Sequence, residues 1–139
     1  MSMTLWLNIR TGETYDSNGA DHSACFDLQE SLDALAAKLN LTPLSAFYDD
    51  TDVRYNLDEE DEFEESEEGW PASAANWFAA ESVLSSVSAL LDHLQSNPNA
   101  LTTTDDWTQA DVIEELADFK TELQLAAAES KTVHLCIVM

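Results

Sequence analysis

Segments with β-strand patterning stand at the two opposite ends of this chain, and that placement restricts the fold more than any other feature of the sequence. From Met3 to Arg10, Leu5, Leu7 and Ile9 alternate with Thr4, Trp6 and Asn8, the period-two pattern of a strand. Thr132 to Val138 is a β-rich run, apolar on both faces apart from His134, as expected of a strand covered on both sides. Thr11-Gly12 supplies a tight turn into a short second strand over Glu13 to Asp16, which makes a hairpin at the start of the chain. So few strands cannot form a stable sheet unaided; they bury their apolar faces only by pairing end to end and receiving helices. The expected fold is α+β. It is a small sheet formed by the N-terminal hairpin and the C-terminal strand, the last strand beside the first, packed against three main helices.

Those helices are legible between the strands. After a polar loop over Asp16 to Ser23, Leu28, Leu32, Leu35 and Leu39 recur at steps of four, three and four, with Asp27 and Glu30 as capping residues and Asn40 as the stop. Thr42-Pro43 predicts one or two helical turns over Pro43 to Tyr48, and Val53 to Leu57 is expected to be a short edge strand. Trp77 and Phe78 are expected in the core, introducing a helix whose stripe is Val83, Leu84, Val87, Leu90, Leu91 and Leu94 and whose stop is Asn97-Pro98. Thr108 and Asp111 resemble a capping box, and Val112, Leu116, Phe119 and Leu123 predict a long helix from about Gln109 to Glu129. At 139 residues the chain reads as one domain, 1–139, large enough to hide roughly two thirds of its unfolded surface.

Charge narrows the possible functions. Twenty-eight acidic side chains face five basic ones, a formal charge of −23, so a phosphate backbone is repelled and direct nucleic-acid binding is not expected. The same repulsion acts at the anionic inner leaflet, and no apolar stretch approaches the ~20 residues that span a bilayer, so no membrane association is expected. Two cysteines, Cys25 and Cys136, are far too few for a disulfide-stapled secreted domain, and Met1 to Arg10 lacks the features of a secretory signal. A cytoplasmic protein with reduced thiols is the expectation.

Twelve of the twenty residues from Asp49 to Glu68 are acidic. In the core of that stretch Asp58, Glu59, Glu60, Asp61, Glu62, Glu64, Glu65, Glu67 and Glu68 are interrupted only by Phe63 and Ser66. Like charges at adjacent positions oppose either regular structure, so 58–69 is read as a mobile, solvated loop inside the domain. Fully extended, Asp58 to Glu68 reaches ~36 Å, which spaces its charges about 4 Å apart, close to the ~3.4 Å phosphate repeat along one DNA strand. Phe63 and Trp70 are the apolar anchors such a surface would offer.

Motifs for chemistry are weak by comparison. Asp21-His22-Ser23 has the residue types of a hydrolytic triad, but consecutive residues point apart, and Asp21 and Ser23 are better read as capping the first helix. His22, Cys25, His134 and Cys136 together match a zinc donor set, although one residue between His134 and Cys136 is closer than structural zinc pairs use. An EF-hand loop begun at Asp50 fails at Arg54, Tyr55 and Asp61. No phosphate loop or dinucleotide fingerprint is present. Hence no cofactor, no metal and no catalytic residue is expected. The leading expectation is a non-enzymatic binding protein whose segment from Asp58 to Glu68, with Phe63 and Trp70, masks a basic protein surface in the manner of an immunity protein or a DNA mimic. The alternatives are a small metal-dependent or hydrolytic enzyme on His22, Cys25, His134 and Cys136, and an accessory protein whose acidic loop only confers solubility.

Overall fold

The computed structural model of the protein describes residues 3–17, 19–57 and 71–138, apart from the side chains of 55–57. The acidic run from Asp58 to Glu68, with its Phe63, and the neighbouring Trp70 lie outside the described residues.

The two chain ends do meet. Strand β1 (Thr4–Thr11) pairs antiparallel with β5 (Thr132–Val138) from Thr4↔Val138 to Arg10↔Thr132. On its other edge β1 pairs with β2 (Thr14–Ser17), one residue later than the turn chemistry suggests, with Gly12 supplying the positive φ of 64° that the tight hairpin requires. The far edge of β5 carries two short strands, β3 (Tyr48–Asp49), parallel, and β4 (Phe78–Ala79), antiparallel. The order is β2-β1-β5-β3, with β4 also on β5, so the expected α+β arrangement is the one the chain adopts.

One face of the sheet receives the helices. Helix α2 (Gln29–Lys38) buries Leu32, Leu35 and Ala36; α4 (Ala80–Ser96) buries Val83, Val87, Leu90, Leu91 and Leu94; α5 (Gln109–Ala128) buries Val112, Leu116, Phe119 and Leu123. They close over Leu5, Leu7, Val133 and Leu135 of the two central strands to form one core. The α5 capping box forms as read: Asp111 N donates to Thr108 Oγ1, and Thr108 N donates to Asp111 Oδ2. Both α2 and α5 end in the same turn. Asn40 (φ 60°) and Ser130 (φ 57°) take left-handed conformations, and Leu41 N and Lys131 N donate back to Ala36 O and Ala126 O.

Three local expectations are corrected. The first helix is broken at Leu28 into α1 (Ser23–Asp27) and α2; neither N-cap residue, His22 or Leu28, caps its helix with its own side chain, and the Asp27 carboxylate accepts the Trp107 indole N–H instead. Pro43 to Tyr48 holds one helical turn, but it is shorter and tighter than expected: Pro43 is its extended N-cap, Leu44–Phe47 is a single 3-10 turn, and Tyr48 already pairs with β5. Val53 to Leu57 is not an edge strand but belongs to helix α3 (Thr51–Leu57). There Asp49 Oδ2 accepts the Thr51 N–H, and Arg54 N donates to Asp50 O while its guanidinium pairs with the Asp50 carboxylate. The short edge strand in this part of the chain is Tyr48–Asp49, which begins five residues earlier.

Helix α3 explains why β5 is apolar on both faces. It packs on the side of β5 away from the helical core, and with residues 71–77 it covers a second, smaller layer. Trp77 sits in that layer, stacked on His134, and is not part of the helical core; Phe78 does pack on the core, edge-on to Phe47.

Three substitutions test this account by denaturant unfolding. Leu116→Ala, at a fully buried position, is expected to cost about 2–5 kcal/mol, and Thr108→Ala about 1 kcal/mol. Ser130→Gly is expected to stabilise by about 0.5–1 kcal/mol, because glycine takes the left-handed conformation without a Cβ penalty. A Ser130→Gly protein as unstable as Thr108→Ala would contradict the α5 terminus described here.

Candidate functional site

Two histidines predicted as possible ligands, His22 and His134, are both buried, and each organises a polar cluster. They lie in different layers of the molecule.

His22 fills the part of the β1 edge that β2 does not reach. Its N–H donates to Thr4 Oγ1 at 2.8 Å, Nδ1 lies 2.9 Å from the Leu5 carbonyl, and Nε2 lies 2.7 Å from Asp118 Oδ2. The ring stacks on Phe119 at 4.0 Å. Each ring nitrogen therefore faces an oxygen of a carbonyl or carboxylate, and neither is directed at a hydroxyl. One turn earlier on α5, Glu115 accepts the Ala24 and Cys25 backbone N–H groups at 3.1 and 2.8 Å. The α1 start is thus capped from 91 residues away and not by Asp21 or Ser23 as the sequence suggests; Asp21 accepts the Trp6 indole N–H at 2.8 Å. A groove of about 500 Å³ opens beside this clasp, lined by Asp21, His22, Glu114, Glu115, Asp118 and Thr121 among others. Its Thr121 hydroxyl donates to Ala117 O within α5. The lining has cation-attracting charge and no activated nucleophile.

The second cluster lies under α3 and residues 71–77. Register pairs Asn8 with His134 and Trp6 with Cys136, so the side chains of these four share the sheet face opposite the helical core. Asn8 Nδ2 lies 3.0 Å from His134 Nε2, and His134 Nδ1 lies 2.9 Å from Asn76 O. Both ring nitrogens are engaged. Trp77 stacks on the ring at 4.1 Å and donates its own N–H to Ala72 O, while Arg10 stands 5.8 Å from the Trp77 ring centre. Asp49 binds the neighbouring backbone, accepting Thr51 N and Asn76 N. Burial, with Asp52 and Asp49 nearby, pushes the Cys136 thiol up to about 12, so it is held protonated and is a poor nucleophile. Burial and Glu115 likewise push the Cys25 thiol well up.

The zinc reading of His22, Cys25, His134 and Cys136 does not survive this geometry. Cys25 belongs to the helical core, whereas His134 and Cys136 point from the opposite face of β5, with the sheet between them. Both cysteines are buried and unbridged, and among the described residues no group of three or more His, Cys, Asp or Glu side chains is placed to hold a metal ion. Sequence reasoning passed over Asn8, Asp49, Glu115 and Asp118, the partners that make both clusters. Their one advance signal was the double-sided apolarity of β5, which required a cover over the Asn8 face. No family model matches the chain, and neither a curated protein nor a solved structure is significantly similar to it.

The Glu115 clasp is directly testable. Glu115→Ala leaves two helix-start N–H groups without their charged acceptor and is expected to cost about 1–3 kcal/mol in unfolding free energy. Glu114→Ala, on the exposed face of the same turn, is expected to change it by less than about 0.5 kcal/mol. Equal effects would show that Glu115 acts only as surface charge.

Proposed function

We propose that this is a non-enzymatic acidic binding protein that masks a basic protein surface, in the manner of an immunity protein or a DNA mimic. The observation that supports the reading is where the charge resides. Of the 19 acids among the described residues, only Asp49 is buried as a whole residue, with one oxygen of Asp33 also shielded, so most of the described acidic charge is presented to solvent and not consumed in the core. Ion pairs engage Asp50 and Glu129, Asp118 meets His22, and α5 carries Asp111, Glu114, Glu115, Asp118 and Glu122 along one side at helical spacing. A field of this sign speeds encounter with a cationic protein and repels nucleic acid and anionic membrane alike. No helix among the described residues is long and apolar enough to cross a membrane.

In this reading the segment from Asp58 to Glu68 supplies the densest charge, with Phe63 and Trp70 as apolar anchors, and the partner is a basic cytoplasmic protein. The engaged imidazoles and protonated thiols described above weigh against the enzymatic alternative.

Affinity capture from the source cell, with the intact chain and with a variant lacking 58–68, tests the proposal at low and moderate salt. A basic protein is expected to be retained by the intact chain, released as salt rises, and lost on deletion. Equal recovery by both chains would remove the role assigned to the segment, and recovery of no basic protein would leave the acids with solubility as their use.

A further inference from the structure

The Asn8 and His134 pair carries an inference that does not depend on the proposed partner. Asn76 O is an acceptor only, so His134 Nδ1, 2.9 Å away, must carry a hydrogen. In the neutral ring Nε2 is then bare and accepts from the Asn8 amide nitrogen at 3.0 Å. That orientation leaves Asn8 Oδ1 buried with no hydrogen-bond partner, in a side chain that is 3% exposed. Such an idle buried acceptor is destabilising, because it has lost its water and gained no donor. A second proton on the ring would appear at Nε2 and confront the amide N–H; half a turn about the last Asn8 torsion would replace that N–H with Oδ1. The idle atom is thus the acceptor that the protonated ring needs.

We propose that Asn8 and His134 form a pH-responsive latch, in which protonation of the ring turns the Asn8 amide over and resets the seating of residues 72–77 on the sheet. The coupling runs through contacts already in place. The ring that titrates is the one on which Trp77 stacks and to which Asn76 is bound, and Trp77 is tied in turn to Ala72. Among the described residues, the charged and titratable groups around it include Asp49 from β3, Asp52 from α3 beside Cys136, the Cys136 thiol on β5, Tyr15 from β2 against Trp77, and Arg10 from β1 over the same indole. Burial favours the neutral ring more than the Asn76 contact and Asp49 favour the charged one, so the transition falls below the ordinary histidine value near 6.5.

Linkage fixes the sign. Below about pH 6.5 the unfolded chain binds a proton that the folded chain still refuses, so folding stability falls as pH drops from about 6.5 through the folded-state midpoint. NMR titration of the full chain follows the His134 ring nitrogens, the Asn8 side-chain amide and the Trp77 indole N–H. All three are expected to shift with one midpoint below 6.5. Asn8→Asp places a carboxylate where the acceptor is needed and is expected to raise the midpoint by at least about one pH unit, a tenfold gain in proton affinity. Asn8→Leu, which offers no acceptor, is expected to lower it, and His134→Gln to abolish the Trp77 shift and flatten the stability slope. If His134→Gln does not fold, the two Asn8 variants decide. An Asn8 amide that stays still while His134 titrates, or Asn8→Asp and Asn8→Leu midpoints equal to that of the parent, would overturn the latch.

Discussion

The antiparallel pairing of β1 with β5 is the interaction on which the rest of the molecule depends. It joins residues about as far apart as the chain allows, from Thr4 to Val138, and closing a loop of that length costs about 4 kcal/mol beyond the fixed cost of any closure. The cost is tolerable because closure brings Leu5 and Leu7 against Val133 and Leu135 on one face, where α2, α4 and α5 complete a single core. Each helix is amphipathic and none is stable alone, so sheet and helices are worth little until both are present. Formation of this core is therefore expected to be cooperative and slowed by its long-range contacts.

The same pairing creates the second layer. Because β5 sits between β1 on one edge and β3 and β4 on the other, its two faces must both be shielded, and the helices cover only one. Residues 49–54 and 71–77 lie over the other, and polar groups are buried there as well as apolar ones: Asn8, His134 and Asp49 beside Cys136. Buried polar groups demand partners with fixed geometry, which gives this layer a defined protonation pattern that an apolar layer would lack.

What the sequence disclosed follows the division between these layers. Periodicity located all three main helices and both central strands, because Leu32, Val87, Leu116 and Leu135 report burial against a broad apolar surface. The Thr108 capping box and the Asn40 stop were legible because their chemistry is confined to a few neighbouring residues. Failures came where the decisive partner is remote. Asp27 looks like a cap until Trp107 claims it, Ser23 looks like one until Glu115 replaces it, and Val53 to Leu57 has strand composition until Asp49 and Asp50 start a helix there. The His and Cys set looked like one site because residue types carry no information about which face of the sheet each will occupy; only the β1–β5 register supplies that.

Charge sets a different constraint, one that acts on the whole molecule at once. Neighbouring carboxylates along α5, three or four residues apart and so about 5–6 Å between Cβ atoms, stand within a Debye length of about 8 Å at physiological ionic strength, so their mutual repulsion persists in the cell and grows as salt is removed. Among the described residues the helices turn their acids outward and their apolar faces inward, and the carboxylates drawn inward, Asp49 above all, accept backbone N–H groups. Salt therefore relieves strain in the isolated protein while weakening any complex that it forms with a cationic one. A bound basic surface would relieve the same repulsion more locally, so binding and folding would reinforce each other by mass action at low ionic strength and part company as it rises.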